Sequence, residues 1–173
     1  MKYSHFSKIM IFGRSGSGKS TFALALSQAA GLPLHHLDKH FFEANWIELN
    51  YQEFLNIQQG IVESDSWIID GNSLQSLELR YSKADLIFYF NHPRWICYLR
   101  VFQRLFKKNS AIDDRASGCK ETVSLGLLRY MWSYEECVAK PIDLLKEKYP
   151  SARFVEITSD KEAEAIKNKL AKR

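Results

Sequence analysis

The chain has 173 residues with a formal net charge of +4, 24 Lys and Arg against 20 Asp and Glu, which suits one domain over 1–173 and is a thin positive excess for a protein that would lie along nucleic acid. Met1 leads into Lys2-Tyr3-Ser4-His5 rather than an apolar run, and no stretch approaches the length of a membrane span, so no membrane partner is read and a cytoplasmic location is expected. Cys97, Cys119 and Cys137 are widely spaced and form no C-x-x-C pair, which indicates neither a zinc site nor a disulfide framework.

Taken in chain order, apolar runs alternate with helical patterns. Lys8-Ile9-Met10-Ile11-Phe12 reads as a buried strand. A helix follows from 19 to about 30, its apolar face made by Phe22, Leu24, Ala25, Leu26 and Ala29, and Gly31 and Pro33 end it. Strands are then expected at 34–37, 67–70, 86–90 and 153–158. Helices are expected near 50–62, at 94–107, from 121 to about 148 and at 161–170, with Pro141 kinking or dividing the helical sequence from 121 to about 148. The connection 71–84 carries no element of its own in this reading, and 108–120 is a polar loop. Five strands separated by helices predict an α/β fold with a parallel sheet covered on both faces. In such sheets ligands bind at the C-terminal strand ends.

Between the first strand and first helix stands Gly13-Arg14-Ser15-Gly16-Ser17-Gly18-Lys19-Ser20, the G-x-x-x-x-G-K-[ST] phosphate-binding pattern in the context its mechanism requires. Its glycines let backbone N–H groups turn inward as an anion nest at a helix N-terminus. Lys19 is expected to reach the β- and γ-phosphates of ATP, and the Ser20 hydroxyl to take a position on Mg²⁺. Thr21 closes the binding segment without a separate chemical role.

The other strand ends supply the remaining candidates. Asp70, closing Trp67-Ile68-Ile69-Asp70, is placed to meet the metal directly or through water, although Asp70-Gly71 also reads as a simple turn. Asp38 projects toward an acceptor, as a base for its hydroxyl or a holder of metal-bound water, with a helix cap as the plain alternative. Arg100, Arg104 and Lys108 lie four apart and share a helical stripe that either converges on phosphates or is a solvated basic face. Arg104 could instead stack on the base, and Arg115 could close in as an arginine clamp. Trp46, with Phe41 and Phe42, makes either an acceptor wall or core, and Arg80 either holds the acceptor or forms a surface ion pair. His35, His36, His40 and His92 lack companions at ligand spacing and read as structural or surface residues. Val123, Leu127, Tyr130, Met131 and Tyr134 read as helix packing.

The segment Gly13 to Thr21, Leu37-Asp38 with Trp46 eight further on, Trp67-Ile68-Ile69-Asp70-Gly71-Asn72, and Ala84-Asp85 through Pro93-Arg94 together resemble the topology-modulation-protein (FlaR-related) group of P-loop kinase-like proteins. That group is in turn similar to adenylate and shikimate kinases. The resemblance implies a three-layer P-loop NTPase fold of the nucleoside-monophosphate-kinase type, an acceptor-binding segment over 38–66, a lid over 107–121, and ATP and Mg²⁺. It implies Lys19 and Ser20 on phosphate and metal, Asp38 and Asp70 on metal and acceptor, and Arg104 on the adenine side. Adenylate kinases carry D-G-[FY]-P-R where this chain has Asp70-Gly71-Asn72-Ser73-Leu74, so their monophosphate-holding arginine has no counterpart there. The expected activity is transfer of the ATP γ-phosphate to a small nucleotide-like or hydroxyl-bearing acceptor. The alternative is a nucleotide-dependent regulatory or DNA-topology-associated protein.

Overall fold

A computed structural model of the chain describes residues 5–43, 47–106 and 123–171. The expected lid 107–121, with Lys108 and Arg115, lies outside the described residues, and so does Trp46.

Five strands form one parallel sheet: β1 (Lys8–Gly13), β2 (Leu34–His36), β5 (Trp67–Asp70), β6 (Leu86–Phe90) and β7 (Arg153–Ile157), in the order β2-β5-β1-β6-β7. The near-continuous apolar runs of β1, β5 and β6 have the composition of strands buried on both faces. One face of β1 sends Ile9 and Ile11 against Phe22, Ala23 and Leu26 of α1 (Lys19–Ala30) and Ala163 and Ile166 of α7 (Asp160–Ala171). The other sends Met10 and Phe12 against Phe54 and Val62 of α3 (Tyr51–Glu63) and Tyr134, Val138 and Ile142 of α6 (Leu125–Lys148). Three layers result. Each large side chain buried in them, such as Phe88 or Trp67 at 0% exposure, contributes about 2–3 kcal/mol.

Local signals set the helix starts. Asn50 accepts the Gln52 amide at 2.8 Å ahead of α3, and Ser124 accepts the Leu127 amide at 3.1 Å ahead of α6. Helix α5 (Arg94–Phe106) follows β6 directly.

Three features depart from the sequence reading. Leu37, expected to end β2, opens a short helix α2 (Leu37–Phe41), followed by a two-stranded hairpin of β3 (Phe42–Glu43) and β4 (Ile47–Glu48). The connection 71–84 contains α4 (Leu77–Tyr81), whose single turn is too short for periodicity to show. Pro141 does not divide α6, which runs from Leu125 to Lys148. The carbonyl that the proline leaves without a donor belongs to the exposed Cys137, where water can satisfy it.

Candidate active site

β1 ends at Gly13, and the chain turns back into α1 through the phosphate-loop motif. The loop is pinned by its neighbours. A Cβ on Gly13 would stand 2.3 Å from the Phe90 carbonyl oxygen, so only glycine lets the loop pass this close to the end of β6. A Cβ on Gly16, at φ +81°, would stand 2.4 Å from the Cys97 carbonyl oxygen of α5. Asn72, just past β5, accepts the Gly13 amide at 2.9 Å and the Tyr134 hydroxyl at 3.3 Å. The Ser17 amide donates to the Arg14 carbonyl at 3.1 Å, closing a tight turn. Among the described residues the buried Ser17 Oγ has no hydrogen-bond partner. A buried hydroxyl left unpaired in a phosphate-loop motif suits an anionic ligand that would complete it.

Arg14 turns its side chain away from the loop's hollow. Its Nε donates to the Met131 carbonyl and its Nη1 to the His92 carbonyl, each at 3.0 Å, and its Nη2 meets Glu135 at 3.2 Å. The side chain therefore ties the loop to α6 and the start of α5, leaving the backbone as its contribution to an anion nest. Thr21 is exposed on α1.

Strand order delivers the carboxylate. Asp70 is paired in register with Ile11 on one side and His36 on the other. The side chains at this height project toward the start of α1. Oδ2 of Asp70 is 2.9 Å from His36 Nδ1, while the buried Oδ1 has no partner among the described residues. Burial alone would raise the Asp70 pKa, but the His36 hydrogen bond, the Lys19 charge and the Ser20 hydroxyl outweigh it and hold the carboxyl below its ordinary value. Lys19, Ser20 and the ionised Asp70 are thus mutual neighbours. An ionised oxygen without a partner beside a serine hydroxyl is a hard donor set that fits Mg²⁺, which keeps waters and takes further oxygens from phosphates. The described residues hold no cluster of three or more His, Cys, Asp or Glu suited to a metal, and an ion carried in with phosphates does not require one.

Arg100 of the basic stripe stands at the loop: its Nη1 is 3.8 Å from where a Gly18 Cβ would stand. It pairs with Asp160 at the start of α7, and Asp160 also lies 3.2 Å from His92 Nε2. Arg104 is one turn further along and partly buried.

On the acceptor side, Asp38 is exposed on α2, and its charge reaches Tyr130 of α6. Burial first, and Asp38 second, push the Tyr130 hydroxyl well above its usual range. The Tyr130 and Tyr134 rings meet edge to face at 5.6 Å. His35 and His40 lie 5.9 Å apart, ring to ring, and burial chiefly, with charge repulsion, lowers both pKa values. Arg80 is fully buried, and its guanidinium donates to the carbonyls of Gly71 at 3.1 Å, Ser76 at 3.4 Å and Ser73 at 2.5 Å.

Two site residues escape a motif-based reading. By sequence His36 is one of four histidines without companions at ligand spacing, and Asn72 follows a strand and belongs to a motif without a chemical role of its own. Both stand within two residues of a strand end, where the strand-end rule directs attention.

No family model and no curated sequence matches the chain. Solved structures do resemble it. A shikimate kinase from Acinetobacter baumannii in complex with shikimate aligns at TM-score 0.59 and 12% identity, over 97% of this chain and 92% of that one. A gluconokinase from Sinorhizobium meliloti 1021 gives 0.58 and 16%, over 99% and 91%. A shikimate kinase from Aquifex aeolicus gives 0.52 and 15%, over 94% and 92%. The five-stranded parallel sheet with helices on both faces is the P-loop kinase fold of these proteins.

Proposed function

We propose that the chain is an ATP-dependent kinase that transfers the γ-phosphate to a hydroxyl of a small molecule. The observation that carries this reading is the meeting of Lys19, Ser20 and the ionised, half-unpartnered Asp70 at the mouth of a phosphate-loop motif. A plain anion nest would not need the carboxylate; a metal–triphosphate site does. The loop amides and Lys19 bind the β- and γ-phosphates, and Ser20 and Asp70 hold Mg²⁺. Bound there, the ion would offset negative charge on the phosphates. Asp38 orients the acceptor hydroxyl and takes its proton as the new O–P bond forms. The β,γ-bridging bond breaks, and its electron pair leaves on ADP, where Lys19 and the loop amides offset the charge. Arg100, Arg104 and Arg115 are the cationic groups proposed for the nucleotide, with Arg104 on the adenine side. Trp46 lies on the acceptor segment, and the 107–121 segment would exclude water. Arg80, which by sequence either holds the acceptor or forms a surface ion pair, is buried and supports the site from behind, since its donors go to main-chain carbonyls.

The motifs behind the resemblance to the topology-modulation group, Leu37-Asp38 and the run Trp67 to Asn72, fall at this same site, so that membership is part of the proposal. The test is consumption of ATP in the presence of magnesium, screened against shikimate, gluconate, other sugars and hydroxy acids, nucleosides and nucleotides. Acceptor-dependent ADP release, lost in Lys19→Ala, is expected. Turnover indifferent to every acceptor, together with salt-sensitive and ATP-dependent DNA binding, would favour the regulatory reading instead.

A further inference from the structure

Asp70 has two oxygens: Oδ2 lies 2.9 Å from His36 Nδ1, while Oδ1, with the Ser20 hydroxyl near the carboxylate, makes no hydrogen bond of normal geometry among the described residues. Its terminal torsion is broad and roughly two-fold, so a buried carboxylate with no fixed partner could turn either oxygen, or neither, toward the α1 N-terminus. His36 removes that freedom. The two residues are register partners on adjacent parallel strands, their side chains stand on the same side of the sheet, and Nδ1 of one is 2.9 Å from Oδ2 of the other. His36 is itself buried, and the chain just beyond it is close to the chain just beyond Asp70: a Cβ on Gly71 would come within 2.6 Å of the Leu37 Cβ. The end of β2 and the end of β5 are therefore closely packed, which holds the two backbones in register.

We infer that His36 is a positioning residue for the metal, its Nδ1–H engaging Asp70 Oδ2 so that Oδ1 is presented beside Ser20. This rests on the reading of Ser20 and Asp70 as the magnesium-holding pair. Hydrogen bonds of this outer kind orient ligating carboxylates, and their loss weakens metal binding by roughly 10–100-fold. His36 touches neither nucleotide nor acceptor in this account, so its removal acts on the metal and leaves metal-free nucleotide binding alone. A merely structural histidine would behave differently, lowering the thermal midpoint and both kinds of binding together.

The experiment is calorimetric titration of ADP into the intact protein, with magnesium and with EDTA, which reads the factor by which magnesium strengthens ADP binding. In wild type that factor exceeds one. In His36→Leu it falls by about tenfold or more while ADP affinity in EDTA is unchanged. In His36→Asn, whose amide N–H can stand where Nδ1–H stood, most of it returns. Should His36→Leu not fold, Asn against Gln serves in its place: the longer Gln amide reaches the Nε2 position, so Asn is expected to keep the magnesium effect and Gln to lose it. A full magnesium effect in His36→Leu or His36→Gln overturns the inference, as does equal loss in EDTA and magnesium without rescue by Asn. A wild-type protein that binds ADP equally with magnesium and with EDTA removes the metal reading itself, and this inference with it, which distinguishes the two failures.

Discussion

Asn72 accepts the Gly13 amide at 2.9 Å, so the residue two beyond the end of β5 holds the point where β1 turns into the phosphate loop. The same oxygen accepts the Tyr134 hydroxyl at 3.3 Å from α6. Both contacts need an acceptor at position 72 and neither needs a donor, so two substitutions separate stability from binding. Asn72→Leu leaves a buried amide and a phenol unpaired, at a cost of about 1–3 kcal/mol. Asn72→Asp keeps both hydrogen bonds but brings a second negative charge beside Asp70. The expected outcome is a lowered thermal midpoint for Leu, a near-normal one for Asp, and weaker ADP binding for Asp than its stability would suggest. Equal ADP affinity in Asp and wild type would show that Asn72 stands too far from the phosphates to matter electrostatically.

Arg14 offers a similar separation. Its fork spans the Met131 carbonyl, the His92 carbonyl and Glu135, a pattern that lysine, with one point charge, cannot reproduce. Arg14→Lys leaves at least one buried carbonyl unpaired and is expected to cost about 2–3 kcal/mol, read as a lower urea midpoint. ADP affinity per folded molecule should change little. Strong loss of ADP affinity at unaltered stability would mean that the side chain swings into the loop.

The centre of the sheet was legible because β1, β5 and β6 are short, apolar on both faces and punctuated by loops at their C-terminal ends, so Trp67 to Asp70 and Leu86 to Phe90 announce themselves by composition alone. The phosphate loop was legible because its chemistry requires a fixed spacing. What escaped was whatever depends on neighbours across the sheet. Periodicity cannot tell that His36 lies beside Asp70 rather than on the surface, since that follows from β2 pairing with β5. Nor can it tell that Arg80 is buried: an arginine reads as exposed until the carbonyls of Gly71, Ser73 and Ser76 are known to surround it. Arg14 sat inside a binding motif, and only the position of α6 shows which way its side chain turns.

Arg80 carries a prediction of its own. Burial pulls its pKa down to about 10, partly countered by the nearby Tyr134, Tyr51 and Asp70, so it stays charged at neutral pH. Replacing it with methionine leaves three carbonyls short of a donor and is expected to cost about 3 kcal/mol or more, a drop of several degrees in thermal midpoint. Arg80→Lys should recover only part of this. If instead either variant melts like wild type and shows a raised KM for the acceptor identified by screening, Arg80 reaches the acceptor directly.

Asp160 sets a pH dependence whose sign can be worked out. Burial would raise its pKa, but the Arg100 hydrogen bond and charge and the contact with His92 outweigh that and lower it. The folded pKa is therefore below that of the unfolded chain, near 3.9, and the unfolded state binds more protons in the window between them. The contribution is fully present above the ordinary carboxylate range and is lost as the pH falls through the lowered folded value. Because the carboxylate is largely exposed, the effect is modest and screened by salt. Urea unfolding of wild type and Asp160→Asn from pH 6 down to pH 3 should show wild type ahead at pH 6 and the two midpoints converging toward the acid end, with a smaller gap throughout in 1 M salt. A gap that stays constant across that range would mean that the charge of Asp160 on Arg100 and His92 is not what stabilises the fold.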